Sequence, residues 1–260
     1  MSPATTTDTP PIIAARGLTI RFGGHVAVDA VDLDIAPFTL KSIIGPNGAG
    51  KTTFFNLVSG QYRPTAGRVL FKGRDITGLD AAARARLGIG RSFQLTNVFP
   101  SLTVLENVRI AVQARRGPIF DGWRDYRRFA ALEDRAYAVL ERVLLEAKWR
   151  AAASELSHGE KRKLELAILL ALDPDVLLLD EPTAGMSLED VPAIIDLIAA
   201  IKAAGDRTIL LVEHKIDMVM SLSDSIAVLQ DGRLIADDAP GAVRANAAVQ
   251  AAYFGGGTRA

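Results

Sequence analysis

Two segments near the start of the chain, 12–22 and 26–35, are rich in β-branched residues, and the second ends in the alternating apolar positions Val31, Leu33 and Ile35. This pattern predicts two antiparallel strands. A shorter apolar strand, 39–44, then runs through a glycine-rich turn into a helical stretch that Gly60 closes. This order predicts a strand, loop, helix unit.

The spacing of apolar residues becomes helical from about residue 102 to 172. Beyond it, the apolar segment 176–179 predicts a buried strand, and an amphipathic helix follows with Pro192 in its first turn and Gly205 just after its end. A further strand is predicted at 208–212. Strands separated by helices of this length indicate crossover connections and a parallel sheet.

Two more strand segments, 226–229 and 234–236, flank Asp231-Gly232, which is a hairpin signal, and another short strand is predicted at 68–71. We therefore predict an α/β fold with a mixed, mainly parallel sheet, an antiparallel β subdomain and a helical subdomain. The predicted division of the single domain is a core of 12–95 and 165–255, a helical subdomain of about 96–164, and a flexible tail of 1–11.

Composition narrows the classes of function. Lys+Arg and Asp+Glu both number 30, so no global field favours nucleic acid. The absence of cysteine excludes disulfides and thiolate metal sites. The longest apolar run has seven residues, 166–172, whereas a membrane-spanning helix needs about 20. Residues 1–11 lack the basic start and apolar stretch of a secretory signal.

The glycine-rich turn carries the full P-loop pattern at the strand-to-helix junction that its chemistry requires. Small residues let backbone N–H groups approach phosphates, and the helix directs its positive end at them. Lys51 is expected to reach the β- and γ-phosphates, and Thr52 to bind Mg²⁺. The alternative is an ordinary glycine-rich turn. The predicted phosphate-binding residues are Gly45, Pro46, Asn47, Gly48, Ala49, Gly50, Lys51, Thr52 and Thr53.

The strand at 176–179 ends in two acids, Asp180 and Glu181. We expect Asp180 to be delivered beside the P-loop, where its carboxylate can hold Mg²⁺ directly or through water. Glu181 is expected to point elsewhere and to accept a proton from the attacking water. The alternative is a strand that ends in two solvated acids. With the P-loop, the pair predicts a P-loop NTPase core that binds ATP and Mg²⁺.

The segment Leu156-Ser157-His158-Gly159-Glu160 precedes a strong helix. Ser157 and Glu160 have the spacing of a capping box. The segment also resembles the LSGGQ signature of ABC ATPases, in which the helix start binds the γ-phosphate of ATP held by the opposite subunit. The resemblance implies nucleotide contacts for Ser157, Gly159 and Glu160. His158 and Glu160 stand where the family usually has Gly and Gln.

Three further residues match single functional positions of the ABC ATPases, and a fourth departs from the family. Gln94, in Arg91-Ser92-Phe93-Gln94, matches the loop glutamine that touches Mg²⁺ and the attacking water. His214 matches the histidine that contacts the γ-phosphate. Phe22 matches the aromatic that stacks on adenine, with a buried strand aromatic as the alternative. Ser187 stands where many relatives carry Asp.

The resemblance covers the chain from Phe22 to Gly255 and is strongest to ATPase subunits of branched-chain amino-acid importers, then of urea or short-amide importers. It implies a head-to-tail dimer with a second, identical or related, ATPase subunit. It also implies transmembrane permeases, an extracytoplasmic binding protein and a place on the cytoplasmic face of the membrane. The basic and aromatic insertion 113–128 is a solvated loop or a contact to permease or headgroups.

Three other classes share parts of this pattern. A soluble ABC protein acting on DNA or ribosomes typically carries two ATPase units or a long coiled coil, and this chain has neither. A non-catalytic ATP-binding subunit would not need Lys51, Asp180, Glu181 and His214 together. An exporter ATPase of the lipopolysaccharide type shares almost every motif, and the sequence leaves that alternative open.

Overall fold

The computed structural model describes residues 9–92, 98–115 and 126–254. The chain forms two compact units, Met1–Arg84 with Lys202–Ala260, and Ala85–Ile201. The predicted boundaries of core, helical subdomain and tail stay a prediction. Within the described ranges, every helix is too short or too polar to cross a bilayer.

The strands and helices are named in chain order. The strands are β1 Ile13–Phe22, β2 His25–Ile35, β3 Leu40–Ile44, β4 Ala66–Phe71, β5 Arg74–Asp75, β6 Ile89–Arg91, β7 Val176–Asp180, β8 Thr208–Val212, β9 Ser225–Gln230 and β10 Arg233–Asp238. The helices are α1 Lys51–Ser59, α2 Ala81–Leu87, α3 Val104–Arg115, α4 Tyr126–Arg142, α5 His158–Ala171, α6 Val191–Ala203, α7 Ile216–Leu222, α8 Pro240–Ala245 and α9 Ala247–Phe254.

In the first unit, the alternating segments form the predicted antiparallel pair. β1 pairs with β2 from Ile13 opposite Ile35 to Phe22 opposite His25. β4 pairs along the other edge of β1, and β5 extends the sheet, so the order is β2-β1-β4-β5. This antiparallel sheet confirms the predicted β subdomain.

The second sheet of this unit is mixed. β10 and β9 are antiparallel, and β9, β3 and β8 are parallel neighbours in that order. β3 and β8 are buried along their whole length, as expected of central parallel strands. Asp231 and Gly232 both have positive φ, 47° and 77°, and make the predicted hairpin turn between β9 and β10. The carboxyl ends of β3 and β8 therefore meet at one edge of the sheet.

In the second unit, β6 and β7 pair in parallel, and α3, α4 and α5 pack against one another. The helical spacing predicted for this region is present in α4, where Leu132, Ala136 and Leu140 are buried on one face. Buried β7 delivers its last residue, Asp180, to the end of the strand. The predicted α/β class is confirmed in both units.

The fully buried Arg84 of α2 links the end of α1 to the segment that precedes α2. Its guanidinium donates to the carbonyl oxygens of Leu57 and Val58 at 2.7 and 2.8 Å, and to those of Thr77 and Leu79 at 3.1 Å. Burial lowers the pKa of Arg84 to about 10, so it remains a cation at neutral pH. A cation at this end of α1 also complements the helix dipole.

We predict that Arg84→Met lowers the free energy of unfolding by roughly 2–5 kcal/mol, because four carbonyl groups lose the buried guanidinium as a donor. Urea denaturation followed by circular dichroism measures this loss. Arg86→Met, on the same helix but exposed, is the matched control and is expected to stay near wild type. Equal stability of the two variants would contradict a structural role for the Arg84 guanidinium.

Candidate nucleotide-binding site

The predicted phosphate loop lies between β3 and α1, as the P-loop pattern requires. Gly45 and Gly50 have positive φ, 156° and 95°. A Cβ at Gly45 would meet the Leu229 carbonyl oxygen, and one at Gly50 would meet that of Ala27. Both positions therefore need glycine for two reasons, the backbone conformation and the close approach of a neighbouring strand.

Lys51 is buried and folds back over the loop. Its Nζ donates to the carbonyl oxygens of Gly45 and Pro46 at 2.6 and 3.0 Å. The ammonium group is thus held above the turn whose backbone would surround a phosphate, and it adds positive charge at the start of α1. This geometry is suited to an anion with several oxygens, such as a triphosphate.

The β9–β10 turn supports the phosphate loop from the side. The N–H of Gly232 donates to the carbonyl oxygen of Ala49 at 3.1 Å, and the N–H of Asp29 donates to that of Gly232 at 2.8 Å. Arg233 forms an ion pair with Asp29 at 2.8 Å. Three segments distant in sequence therefore hold the loop in shape.

His214 follows β8 at the same sheet edge as the phosphate loop. β3 and β8 are in parallel register, with Ile43 opposite Val212, so the loop and His214 leave adjacent strands. The buried carboxylate of Glu213 accepts the backbone N–H of His214 at 2.9 Å, and the His214 side chain is exposed. The imidazole can therefore reach an anion bound at this edge.

Phe22 lies at the end of β1, in the same unit. Its side chain is 47% exposed and makes an edge-to-face contact with Tyr62, at 5.5 Å between ring centroids. The alternative of a buried strand aromatic is wrong. An exposed aromatic ring can stack on a planar ligand.

Asp180 ends β7 in the second unit and is fully buried. Its Oδ2 accepts a bond from Arg91 at 2.9 Å, whereas its Oδ1 has no partner among the described residues. Burial raises the pKa of Asp180 above its ordinary value, and the neighbouring Arg91 opposes that rise. The alternative of two solvated acids is wrong for this residue.

Glu181 has an unusual backbone for a non-glycine residue, with φ at 47°. Its carbonyl oxygen accepts bonds from Arg162 of α5 and from the N–H of Ala184, both at 3.0 Å. These bonds hold the backbone of Glu181 in this conformation, and its side chain is partly exposed. Strain of this kind concentrates at functional sites.

The predicted capping box at Ser157 is confirmed. Ser157 Oγ accepts the N–H of Glu160 at 3.3 Å, and Glu160 Oε2 accepts the N–H of Ser157 at 2.9 Å. Ser157 is exposed, whereas Gly159 is buried, and a Cβ there would lie 3.0 Å from the Asp190 side chain. Glu160 Oε1 pairs with Lys148 at 2.6 Å, and this ion pair lowers the pKa of Glu160.

Comparison with known proteins places this geometry in a family. Residues 28–184 match the ABC transporter family, and residues 233–258 match the branched-chain amino acid ATP-binding cassette transporter family. This chain belongs to the ABC transporter family. It is 38% identical over 250 residues to the high-affinity branched-chain amino acid transport ATP-binding protein LivG of Escherichia coli K12, covering 94% of this chain and 98% of LivG.

Other relatives agree with this assignment. BraF of Pseudomonas aeruginosa, another high-affinity branched-chain amino acid transport ATP-binding protein, is 39% identical, with the same coverage of 94% and 98%. Among solved structures, the ADP conformation of MJ1267, an ATP-binding cassette of an ABC transporter, has a TM-score of 0.81 at 28% identity, over 95% of this chain and all of that one. The dimeric post-hydrolysis cassette MJ0796 bound to ADP and Pi has a TM-score of 0.74 at 25% identity, covering 88% and 98%.

Membership in the ABC transporter family confirms the predicted P-loop NTPase fold, the binding of ATP and the ATPase activity that powers transport. Within this ABC ATPase, the structure brings Phe22, the P-loop and His214 into the first unit. The second unit contains Ser157, Asp180 and Glu181. Gln94 lies outside the described residues, so its predicted position is not tested.

The oxygen donors of the ABC ATPase fit a magnesium ion bound with nucleotide. No group of three or more His, Cys, Asp and Glu that could hold a metal occurs in the described part of the chain. Mg²⁺ normally keeps several waters and takes only one or two protein oxygens beside substrate phosphates. In the second unit, the buried Oδ1 of Asp180, unpartnered among the described residues, is an oxygen of this kind. In the first unit, the side chain of exposed Thr52 offers a hydroxyl of this kind.

Sequence reasoning gave no role to three cations of the second unit. Arg162 donates to the carbonyl oxygens of Glu181 and Pro182 and pairs with Glu165. Lys148 pairs with Glu160, and Arg91 pairs with Asp180. In the sequence, Arg91 and Arg162 are marked only by their neighbours: Arg91 begins the segment that contains Gln94, and Arg162 follows the signature segment 156–160. Lys148 lies in a short 3-10 turn, 146–148, without a motif.

Proposed function

We propose that this ABC ATPase energises the import of branched-chain amino acids through separate permease subunits at the cytoplasmic face of a membrane. The carrying observation is the match of residues 233–258 to the branched-chain amino acid ATP-binding cassette transporter family. This C-terminal match lies outside the matched ABC transporter core at 28–184, so it adds information about subfamily. The names of LivG and BraF support the same substrate class.

Reconstitution in liposomes with the co-purifying permease and binding proteins tests this proposal. We expect leucine, isoleucine or valine, delivered by the binding protein, to stimulate ATP turnover and to accumulate inside. Urea and short amides are the matched comparison, because importers of those compounds are the nearest alternative. Stimulation by urea but not by leucine would contradict the proposed substrate class. ATP-driven export would contradict the proposed direction of transport.

We infer that the P-loop residues 45–53 bind the phosphates, with Lys51 on the β- and γ-groups and Phe22 stacked on adenine. Thr52, Asp180 and Gln94 are proposed to hold Mg²⁺, which would neutralise charge on the phosphates when bound. The preformed loop and the unpartnered Asp180 Oδ1 support this assignment.

Glu181 is the proposed general base. Its side chain is partly exposed, and bonds from Arg162 and Ala184 hold its backbone at positive φ. A carboxylate held in this way can accept a proton from water. His214, at the edge of β8, is proposed to contact the γ-phosphate. Gln94 is proposed to help position the attacking water.

We infer a head-to-tail dimer with a second cassette, identical or related, in which Ser157 and the start of α5 contact the nucleotide of the partner. The capped helix start and the exposed Ser157 support this arrangement, since a helix N-terminus favours anions. The dimeric form of the related cassette MJ0796 supports it too. The basic insertion 113–128, of which 116–125 lie outside the described residues, is proposed to contact permease or headgroups.

The pair of Lys148 and Glu160 yields a prediction for this dimer. Lys148→Met should lower ATP turnover by about threefold to tenfold, because the Glu160 carboxylate would then repel the γ-phosphate uncompensated. Glu160→Gln alone should stay near wild type, and the double variant should recover most of the loss. Turnover of the four proteins, measured against ATP concentration, gives the coupling between the two residues.

Lys163→Met, a charge removal elsewhere on α5, is the control for a general loss of positive charge. It should leave turnover unchanged. If Lys148→Met causes an equal loss in the wild-type protein and in the Glu160→Gln variant, Lys148 does not act through Glu160.

A further inference from the structure

The ends of two parallel strands, β6 and β7, are joined by a buried ion pair. Arg91 Nη2 lies 2.9 Å from Asp180 Oδ2, with the Asp180 side chain fully buried and that of Arg91 13% exposed. Arg91 pairs in register with Leu178, two residues before Asp180. The pairing of β6 with β7 therefore fixes the backbone position of Arg91. From there its side chain extends along β7 to the Asp180 carboxylate.

The next residue of the chain, Ser92, holds the backbone that leads into Asp180. Its N–H donates to the Leu178 carbonyl oxygen at 2.9 Å, and its Oγ accepts the N–H of Asp180 at 3.3 Å. Ser92 is itself buried. The end of β6 thus holds Asp180 through both its main chain and its side chain.

The two carboxylate oxygens of Asp180 have different surroundings. Oδ2 is occupied by Arg91, whereas Oδ1 is buried with no hydrogen-bond partner among the described residues. A buried oxygen without a partner is costly, and such groups are rare unless a ligand completes them. Arg91 therefore holds Oδ2 in place, and Oδ1 is the oxygen that a ligand would complete.

We propose that Arg91 is a positioning residue for Asp180, and that its guanidinium anchors Oδ2 so that Oδ1 is presented to the Mg²⁺ of bound nucleotide. This inference rests on the proposed metal role of Asp180. Without the guanidinium, the carboxylate would be a buried charge without its cation and could rotate away from the metal. Lysine would keep the charge but lose the planar fork that sets direction.

The test compares nucleotide binding with and without metal, in the Glu181→Gln background to prevent hydrolysis. A fluorescent ATP analogue is titrated in Mg²⁺ and again in EDTA, and the ratio of the two affinities is the metal-dependent gain. Arg91→Met should reduce this gain by about tenfold to a hundredfold while leaving the affinity in EDTA nearly unchanged. Arg91→Lys should lose less, and it serves as the readout if Arg91→Met does not fold.

Two further variants distinguish the possible outcomes. Lys41→Met removes another ion pair, between buried Lys41 and exposed Asp237 at 2.7 Å, and should lower thermal stability while keeping the metal-dependent gain. Asp180→Asn should lose the gain. If Asp180→Asn keeps it, the proposed metal role of Asp180 fails, and the inference on Arg91 fails with it.

If Asp180→Asn loses the gain but the Arg91 variants keep it, only the role of Arg91 is overturned. A loss of affinity that is equal in Mg²⁺ and in EDTA would also overturn it, because it would show a general structural effect. The same conclusion follows if Lys41→Met loses the gain to the same extent as Arg91→Met.

Discussion

Glu181→Gln is expected to lower ATP turnover by roughly 100- to 10 000-fold while preserving ATP binding, because the amide cannot accept the proton of the attacking water. The change is nearly isosteric, and the bonds from Arg162 and Ala184 to the main-chain carbonyl oxygen of residue 181 do not depend on its side chain. The loop should therefore keep its shape. Steady-state phosphate release and fluorescent nucleotide binding measure the two quantities separately.

Glu141→Gln, an exposed change on α4, is the matched control and should hydrolyse ATP at the wild-type rate. Turnover of Glu181→Gln within a few-fold of that control would exclude Glu181 as the base. A parallel loss of ATP binding would instead indicate that the variant disturbs the site rather than the chemistry.

Lys51→Met is expected to have the second largest effect, a loss of about 10- to 100-fold in ATP affinity with a further loss of turnover. The ammonium group provides charge-assisted bonds to phosphate that are worth roughly 1.5–3 kcal/mol each. It also donates to the carbonyl oxygens of Gly45 and Pro46, so its removal loosens the phosphate loop itself. Calorimetric titration with ATP measures the affinity.

Lys72→Met, at an exposed turn between β4 and β5, removes the same charge away from the loop and should bind ATP as the wild type does. Unchanged ATP affinity in Lys51→Met would contradict the assignment of the P-loop as the phosphate site. Thermal unfolding of both variants without nucleotide separates a loss of contact from a loss of fold.

Much of the fold was predictable because its signals are local. The alternation before Ile35, the Asp231-Gly232 turn and the Ser157 capping box each depend on a few neighbouring residues whose backbone preferences point one way. The P-loop was recognisable for the same reason, since Gly45 and Gly50 need conformations that other residues rarely adopt. The comparisons confirmed the ABC ATPase family that these motifs indicated.

Partnerships between distant side chains were not predictable. Lys148 belongs to a short turn with no motif, yet it pairs with the unusual Glu160. In the sequence, Arg84 is one of two arginines on an alanine-rich helix, yet its side chain is buried against carbonyl groups of α1. The exposure of the Phe22 ring likewise depends on how β1 packs.

The sequence alone determined the elements, the chemistry of the phosphate loop and the family, because spacing and backbone preference act over a few residues. Only the tertiary structure decided which cation meets which carboxylate, that the β9–β10 turn supports the phosphate loop, and that Asp180 keeps one oxygen unpartnered among the described residues. The physical reason is that burial and long-range pairing depend on how distant strands and helices pack. No local pattern carries that information.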